Sequence, residues 1–273
     1  MFNLMLITND PSLARHAVES GVNRIFIDLE IMGKVERQGH LDTVISRHQM
    51  TDVAKIRSAI PGGELLVRLN PIHSNSRREV DEAIDGGADI IMLPMFHSAK
   101  EVRELSSMID GRVRFMPLIE TKGAAEACRE ITLIEGVTDL YIGLNDLHMD
   151  LGLKFMFEPV SNGLVGKMAE IIKAAAIPFG FGGIARISEG MLPAEKVLSQ
   201  HVRLGSSCVI LSRTFHRRSE SLSELTNQMD LKDEIDKLLN EHDRLLNCGQ
   251  DELDVDFDFF KLKVQEIVGI SNK

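Results

Sequence analysis

Charged and polar side chains stand at the ends of several short apolar runs in this sequence. A charge beside an apolar core is costly to bury without a partner, and a structural ion pair would explain any one of them. Because the pattern recurs along the chain, it favours a shared active site where the run ends meet. The residues are Asp28 and Glu30, Arg68 and Asn70, Glu120 and Thr121, Asn145 and Asp146, and Arg213.

Glu120 and Asp146 are the candidate metal ligands. Glu120 ends the run FMPLIET, and Asp146 ends the run LYIGLND. Two carboxylates from neighbouring runs can hold Mg2+ or Mn2+, with other divalent metals possible, and leave positions for water and an oxygen-rich substrate. The alternative is that both residues cap the helices that follow, since Asp and Glu favour helix N-termini.

The elements that must position these residues alternate between short apolar runs and amphipathic stretches. Continuous apolarity is typical of strands covered on both faces in a parallel sheet. The stretches between the runs have helical spacing, as at Val53, Ile56 and Ile60. The predicted strands span residues 4–8, 24–30, 64–70, 90–95, 113–121, 139–145, 179–184 and 208–212.

Eight strands alternating with helices predict either a closed barrel or a doubly wound sheet. Eight strands close a barrel, and no GxGxxG follows the first strand, so we expect an α/β fold, a (β/α)8 TIM barrel with a C-terminal helical extension. Residues 1–215 would form the catalytic barrel, and residues 216–273 a closing helix and a helical arm. We expect this arm to pack on a neighbouring subunit of a homo-oligomer; the alternative is that it folds back on its own barrel.

Composition limits the classes of partner. The formal net charge of -10 argues against nucleic-acid and membrane partners. The three cysteines are widely spaced and form no CxxC pair, which indicates neither a disulfide framework nor a thiolate zinc site. The N-terminal run MFNLMLITND has no basic segment and is too short for a signal or a membrane span. We therefore expect a cytoplasmic enzyme.

Several motifs resemble those of the HpcH/HpaI aldolase and citrate lyase family. They are RIFIDLE, LLVRLNP, IIMLPMF, FMPLIET and, above all, LYIGLNDLHMDLG, in the family's order over about residues 24–213. The resemblance implies a divalent-metal-dependent lyase that makes or breaks a C–C bond beside a pyruvate or acyl enolate. It implies that Glu120 and Asp146 hold the metal and that Arg68 contacts the substrate's carboxylate or carbonyl. A structural role for Arg68 beside Asp28 or Glu30 is the alternative, and it is compatible with catalysis.

The segment after the second strand departs from both branches of the family. FIDLE is similar to the DLED of citrate-lyase-like members, but Ile31 stands where their second aspartate would be. The aldolase branch instead has a catalytic histidine here, and His40 and His48 are both available. We favour His48, which lies next to a helix start and whose imidazole has a pKa suited to proton transfer. Arg37 on the same segment could bind the anionic end of a substrate. The alternative for the two histidines and for Arg37 is a solvated surface loop.

The remaining substrate-binding candidates come from several strand ends. Backbone amides of Gly182 and Gly183 in FGFGGIAR could approach a phosphate or carboxylate closely, although a tight turn would also need these glycines. Asp28, Glu30 and Asn145 complete the predicted set.

The leading functional prediction is a class II-type aldolase that acts on pyruvate or a related 2-oxo acid and an aldehyde. No strand end offers a well-placed lysine for a Schiff base. The alternatives are a citrate-lyase-like acyl-CoA lyase, for which RTFHRR at 213–218 is the obvious basic cluster, and a barrel without catalysis that binds or regulates. Glu120, Asp146 and Arg68 together argue against the last, since a scaffold has no need of all three.

Overall fold

The computed structural model describes residues 2–33 and 48–270, and it confirms the predicted barrel. Every neighbouring pair of strands is parallel, and β1 pairs with β8 to close the sheet. The strands are β1 (Asn3–Ile7), β2 (Arg24–Asp28), β3 (Glu64–Arg68), β4 (Ile90–Leu93), β5 (Arg114–Ile119), β6 (Leu140–Ile142), β7 (Phe179–Ile184) and β8 (Cys208–Leu211). Several strands end before the predicted residue, because the polar residues that follow leave the sheet at the mouth of the barrel.

The helices connect successive strands and cover the outside of the sheet. The first shows how the sequence starts them: Asp10 accepts a hydrogen bond from Leu13 N at 2.6 Å, and Pro11 occupies the first turn. Within the described residues the helices are α1 (Pro11–Glu19), α2 (Met50–Ala59), α3 (Ser76–Asp85), α4 (Ala99–Ile109), α5 (Lys122–Glu126), α6 (Cys128–Ile131), α7 (Leu144–Asp150), α8 (Glu158–Ser161), α9 (Leu164–Ala174), α10 (Ala194–Leu204), α11 (Leu222–Thr226), α12 (Leu231–Leu246) and α13 (Gln250–Ile270).

The strands are apolar on both faces because each face packs against a different core. One cluster fills the inside of the barrel and includes Met5, Phe26, Met92 and Met116. A larger cluster lies between the outside of the sheet and the helices. This double burial explains the continuous apolar runs of the sequence, and Met92 of β4 and Met116 of β5 belong to the inner core.

A ring of charges lies at the N-terminal end of the barrel. Arg24 is 2.5 Å from Glu64, Arg114 contacts Glu64 at 2.8 Å, and Arg114 also pairs with Asp139 at 2.5 Å. The charges of the two arginines and the two carboxylates cancel, and the four side chains line a cavity of about 590 Å³. In barrels of this kind, residues at the N-terminal end usually contribute to stability. The predicted active site lies at the opposite end.

A β-bulge between β7 and β8 depends on the single tyrosine of the chain. The register shifts between Gly180 and Gly183, and the Tyr141 hydroxyl fills the gap. This hydroxyl donates to the Gly182 carbonyl at 2.7 Å and accepts from Ile210 N at 2.9 Å. Burial raises the pKa of Tyr141 well above 10.0, so the hydroxyl stays protonated and keeps its donor role.

The C-terminal helices pack on the barrel of their own chain. Phe260 in α13 meets Phe157 edge to face at 5.9 Å, and Asp256 pairs with Lys196 of α10. The Arg203 guanidinium lies 3.8 Å from the centre of the Phe257 ring. The arm therefore covers α10, as in the alternative given above, and its contact with a neighbouring subunit stays a prediction. In the described part of the chain, no helix is both long and apolar enough to cross a membrane.

Candidate active site

Arg68 is held at the end of β3 by two buried carboxylates. It lies opposite Asp28 in the register of β2 and β3, and its Nε and Nη2 donate to the two Asp28 oxygens at 2.9 Å each. Its Nη2 is also 3.3 Å from Glu30 Oε2. Burial alone would disfavour the charged guanidinium, but the charges of Asp28, Glu30 and Glu120 raise the pKa of Arg68. Its side chain is 14% exposed, so part of a fixed, permanent cation faces the mouth of the barrel.

Glu120 follows the last residue of β5 and is buried. Its Oε1 accepts a hydrogen bond from Met95 N at 2.9 Å. The next residue, Thr121, caps α5 by accepting from Ala124 N at 3.0 Å. The helix cap here is therefore the threonine, and the glutamate carboxylate is left for another role.

The structure places Asn145 and Asp146 in the first turn of α7, which corrects the prediction that they end the sixth strand. The strand stops at Ile142 because the residues after Gly143 bury Leu144 and Leu147 at helical spacing. Gly143 lets this turn approach Glu120: a Cβ on Gly143 would lie 2.9 Å from the Glu120 Cβ. The approach keeps Asp146 within electrostatic reach of Glu120.

A second contact fixes α7 relative to α5. The backbone N–H of Lys122, in the first turn of α5, donates to the Asp150 carboxylate at the end of α7 with a distance of 2.6 Å. Asp150 therefore acts on the geometry of the Glu120 and Asp146 pair without being part of it.

Burial raises the pKa of Glu120 well above the usual 4.5, and the charges of Asp146 and Glu30 add to this shift. Arg68 and the Met95 amide oppose it. Two carboxylates that repel each other in a buried site are relieved by a proton or by a cation. Within residues 2–33 and 48–270 there is no group of three or more histidine, cysteine, aspartate or glutamate side chains that could hold a metal ion.

His48 lies beside β2, two residues before α2 begins. Its Nδ1 accepts a hydrogen bond from the backbone N–H of Asp28 at 3.0 Å, so the proton of the neutral ring is on Nε2. Asp52 anchors this segment, since its carboxylate accepts from Gln49 N at 2.9 Å and from Asn9 at 3.0 Å. The structure thus brings His48 next to the Asp28 that holds Arg68.

The other predicted residues are distributed as follows. Gly182 and Gly183 lie within β7, and the Gly182 carbonyl is bound by the Tyr141 hydroxyl described above. Asn70 orients the segment after β2, because its Oδ1 accepts from Ile31 N and Met32 N at 3.0 and 3.1 Å. Arg37 and His40 lie outside the described residues.

Three contributors to the site were not predicted from the sequence. Met95 supplies the amide that orients Glu120, Gly143 permits the close approach of α7, and Asp150 ties α7 to α5. Of these, only Gly143, in the sequence GLNDL, is a local signal that two backbone segments approach each other closely. The other two contacts join segments 25 or more residues apart.

The chain is similar to known proteins over most of its length. Residues 2–181 match the model of the family described as HpcH/HpaI aldolase/citrate lyase. A search of curated proteins found no match.

Solved structures share the fold. The HpcH/HpaI aldolase from Desulfitobacterium hafniense has a TM-score of 0.62 and 16% identity, over 84% of this chain and 94% of that one. An HpcH/HpaI aldolase/citrate lyase family protein from Burkholderia cenocepacia has a TM-score of 0.61 and 17% identity, over 83% and 92%. The citrate synthase SbnG has a TM-score of 0.61 and 17% identity, over 83% and 93%. With the family model matched over more than half of its residues, the chain belongs to the HpcH/HpaI aldolase/citrate lyase family.

Proposed function

We propose that this protein is a divalent-metal-dependent carbon–carbon lyase, a class II-type aldolase, that joins or separates an aldehyde and the enolate of pyruvate or a related 2-oxo acid. The observation that carries the proposal is the buried Glu120 carboxylate, which lies within electrostatic reach of both a second carboxylate, Asp146, and a fixed cation, Arg68. Membership of a family of aldolases and lyases supports an enzyme with small-molecule substrates. A cytoplasmic location is part of the same proposal.

Glu120 and Asp146 fit a hard cation such as Mg2+ or Mn2+. Both offer carboxylate oxygens, the donors that these metals prefer. Burial raises the pKa of Glu120 and the charge of Asp146 adds to this shift, and a cation would relieve the repulsion between the two carboxylates. The remaining ligands would be water and substrate oxygens. When bound, the cation would supply Lewis-acid stabilisation of the enolate oxygen.

Arg68 would bind the carboxylate or carbonyl oxygen of the oxo acid. Its guanidinium is held by Asp28 at two points and by Glu30, so it needs no rearrangement as negative charge develops. Asp28 and Glu30 would therefore act through Arg68, as positioning residues. Asn145, Arg37 and the amides of Gly182 and Gly183 remain candidates for further substrate contacts.

His48 is the proposed proton-handling residue. Because its Nδ1 accepts from the Asp28 amide, the neutral ring offers a hydrogen-bond donor at Nε2. Uptake of a proton at Nδ1 would break the contact with Asp28, and so would couple proton transfer to the backbone next to Arg68.

A citrate-lyase-like cleavage of an acyl-CoA is the second candidate, because the matched family model covers both aldolases and citrate lyases. It uses the same enolate chemistry, and it differs in the substrate that would occupy the mouth of the barrel.

The test is exchange of the pyruvate methyl protons with deuterium, followed by NMR. We expect exchange that requires Mg2+ or Mn2+, that falls at least about 100-fold in Glu120→Gln and Asp146→Asn, and that is lost in Arg68→Ala. Glu126→Gln is the matched control, since Glu126 is 70% exposed on the neighbouring α5. Exchange that survives removal of metal, or a pyruvate adduct trapped by borohydride on a lysine, would contradict the mechanism.

If pyruvate shows no exchange, the same experiment with acetyl-CoA separates the acyl-CoA lyase from the aldolase. Failure with both substrates would favour a barrel that has lost catalysis.

A further inference from the structure

Residues 30–32, which lie just beyond β2, are held by hydrogen bonds rather than by apolar packing. The first of them is Glu30, whose Oε2 lies 3.3 Å from Arg68 Nη2. The next two side chains, Ile31 and Met32, are apolar but 60% and 44% exposed. Their burial therefore contributes little to the position of the segment, and its backbone contacts decide where Glu30 lies.

Each backbone N–H in this segment has an acceptor at the end of β2 or β3. Glu30 N donates to Asp28 Oδ1 at 3.3 Å. Ile31 N and Met32 N both donate to Asn70 Oδ1, at 3.0 and 3.1 Å. Asn70 is buried, and its one oxygen binds two successive amides. A single side chain therefore fixes the course of the chain immediately after Glu30.

Glu79, in the first turn of α3, decides which way the Asn70 side chain faces. Its Oε1 accepts from Asn70 Nδ2 at 2.8 Å, and its Oε2 accepts from the Asn70 backbone N–H at 3.4 Å. A carboxylate can only accept, so Asn70 turns its amino group to Glu79 and its oxygen to the amides of residues 31 and 32. His73 Nε2 lies 3.2 Å from the same Oε1 of Glu79, so this oxygen has two nitrogen neighbours.

These contacts lead from α3 to the proposed substrate-binding cation. Glu79 orients Asn70, and Asn70 fixes the chain after Glu30. Glu30 in turn is one of the two carboxylates that hold Arg68. A displacement of Glu30 would therefore change how firmly the guanidinium is held, although the contacts of Arg68 to Asp28 would stay in place.

We propose that Glu79 is a positioning residue of this active site, which acts on substrate binding through Asn70, Glu30 and Arg68. The inference rests on the proposed aldolase function for the substrate that Arg68 would bind, pyruvate or a related oxo acid. The hold of Glu79 and Asn70 on residues 31 and 32 does not depend on that function. The alternative is a role in α3 alone, since a carboxylate in the first turn stabilises a helix.

The first test measures amide hydrogen exchange of residues 29–33 by mass spectrometry. In Glu79→Gln the new amide can donate to Asn70 Oδ1, which allows Asn70 to turn over and releases the amides of residues 31 and 32. We expect exchange there to become about tenfold faster. Glu82→Gln is the matched control, because Glu82 lies on the same helix and pairs with Arg78 at 2.6 Å.

The second test measures the KM of pyruvate in the deuterium exchange reaction at saturating Mn2+. We expect Glu79→Gln to raise this KM by about tenfold, because Arg68 loses part of its support. The affinity for Mn2+, measured by calorimetry, should stay within about twofold of the native value, since the proposed metal ligands are Glu120 and Asp146. Glu82→Gln should leave both quantities unchanged.

A third test exchanges the donor and the acceptor between Asn70 and Glu79. Asn70→Asp alone sets two carboxylates against each other, and we expect it to raise the KM by about tenfold as well. In the double variant Asn70→Asp/Glu79→Gln, the glutamine amide can donate to the aspartate, whose other oxygen accepts from residues 31 and 32. We expect the double variant to restore the KM to within about threefold of the native value.

The outcomes separate this inference from the aldolase proposal. Native amide exchange at residues 29–33 in Glu79→Gln would overturn the inference. Lower stability of Glu79→Gln in urea with a native KM would do the same, because it would show a role in α3 alone. If the native protein does not exchange pyruvate protons, the aldolase proposal fails instead, and amide exchange still decides whether Glu79 holds the segment after Glu30.

Discussion

Glu120 is a carboxyl group whose proton is unusually hard to remove, because it is buried and because Asp146 and Glu30 lie within electrostatic reach. Arg68 is also buried, but the charges of Asp28 and Glu30, followed by that of Glu120, raise its pKa and keep it charged. A substrate bound between the two residues, as proposed, would meet one fixed cation and one carboxyl group whose charge depends on what else is bound.

Metal binding should therefore depend on pH at the level of this single residue. Protons compete with a cation for Glu120, and its raised pKa starts that competition above the pH at which an ordinary glutamate, near 4.5, would be protonated. We expect the affinity for Mn2+ to fall as pH decreases, by up to about tenfold per pH unit below the pKa of Glu120. Calorimetric titrations at a series of pH values measure this.

Glu126→Gln should leave that pH profile unchanged. An affinity that stays constant down to pH 4.5 would show that Glu120 is not a ligand.

At the scale of elements, β7 shows how the sheet makes room for its neighbours. Gly180 faces the interior, where a Cβ would collide with the Cys208 carbonyl and would lie 2.5 Å from the Tyr141 ring. The bulge that follows is closed by the hydroxyl of the same tyrosine. The three strands β6, β7 and β8 are therefore adjusted to one side chain.

Gly180→Ala should consequently destabilise the barrel. We expect the free energy of unfolding to fall by about 2 kcal/mol or more, because the added methyl group meets backbone that cannot move aside easily. Gly62→Ala is the matched control, since a Cβ at Gly62 has no neighbour within 4 Å, and it should change stability by less than about 0.5 kcal/mol. Urea denaturation measures the free energy of unfolding of both variants. Equal losses in Gly180→Ala and Gly62→Ala would contradict the prediction that β7 needs a glycine at position 180.

At the scale of the whole molecule, stacked histidines join the first strand, the seventh strand and the C-terminal helices. His201 of α10 stacks on Phe181 of β7 with 3.9 Å between ring centres, and it meets Phe2 edge to face at 5.5 Å. His242 of α12 stacks on Phe2, with 4.3 Å between the ring centres. Burial and then the charge of His242 lower the pKa of His201 to about 3.

This stack predicts a loss of stability in mild acid. His201 stays neutral in the folded chain, whereas in the unfolded chain it takes up a proton below about pH 6.5. The unfolded state therefore binds more protons between those two values, and the free energy of unfolding falls as pH decreases from about 6.5 toward 3. The contribution of one such residue is at most about 1.4 kcal/mol per pH unit.

His201→Phe keeps the stack and removes the titration, so it should flatten this part of the stability profile. The same substitution at the exposed His97 should leave the slope as it was. Urea denaturation across this pH range is the measurement, and an unchanged slope in His201→Phe would contradict the prediction.

The outer face of α13 bears on the predicted homo-oligomer. Val255, Phe259 and Leu262 are spaced along one side of this helix and are 67%, 37% and 60% exposed. We expect a second copy of the chain to cover this face, because apolar side chains clustered on one exposed face favour association. Leu262→Glu should lower the mass measured by light scattering at micromolar concentration.

Leu133→Glu is the control for that experiment, since Leu133 is 79% exposed but lies outside the arm. A full-length monomer at the same concentration would contradict the oligomer, while the packing of the arm on its own barrel would still stand.

The alternation of strands and helices was predictable because it rests on local spacing. Runs buried on both faces stay apolar throughout, as in β4 (Ile90–Leu93), and helices bury every third or fourth residue, as in α2 (Met50–Ala59). The same logic identified Arg68 and Glu120, since each stands where an apolar run stops. Eight such runs are enough to indicate a closed barrel.

Tertiary structure alone decided how those residues meet. The double hydrogen bond of Arg68 to Asp28 depends on the register of two strands that are 40 residues apart, which no local pattern specifies. Asp146 was misplaced because LYIGLND reads as one apolar run, while packing of Leu144 and Leu147 makes its end a helix. Asn70 binds the amides of Ile31 and Met32 because β2 and β3 end side by side in the sheet. Local sequence sets which residues are available, and the closed barrel sets their partners, because contacts between distant segments depend on the geometry of the whole sheet.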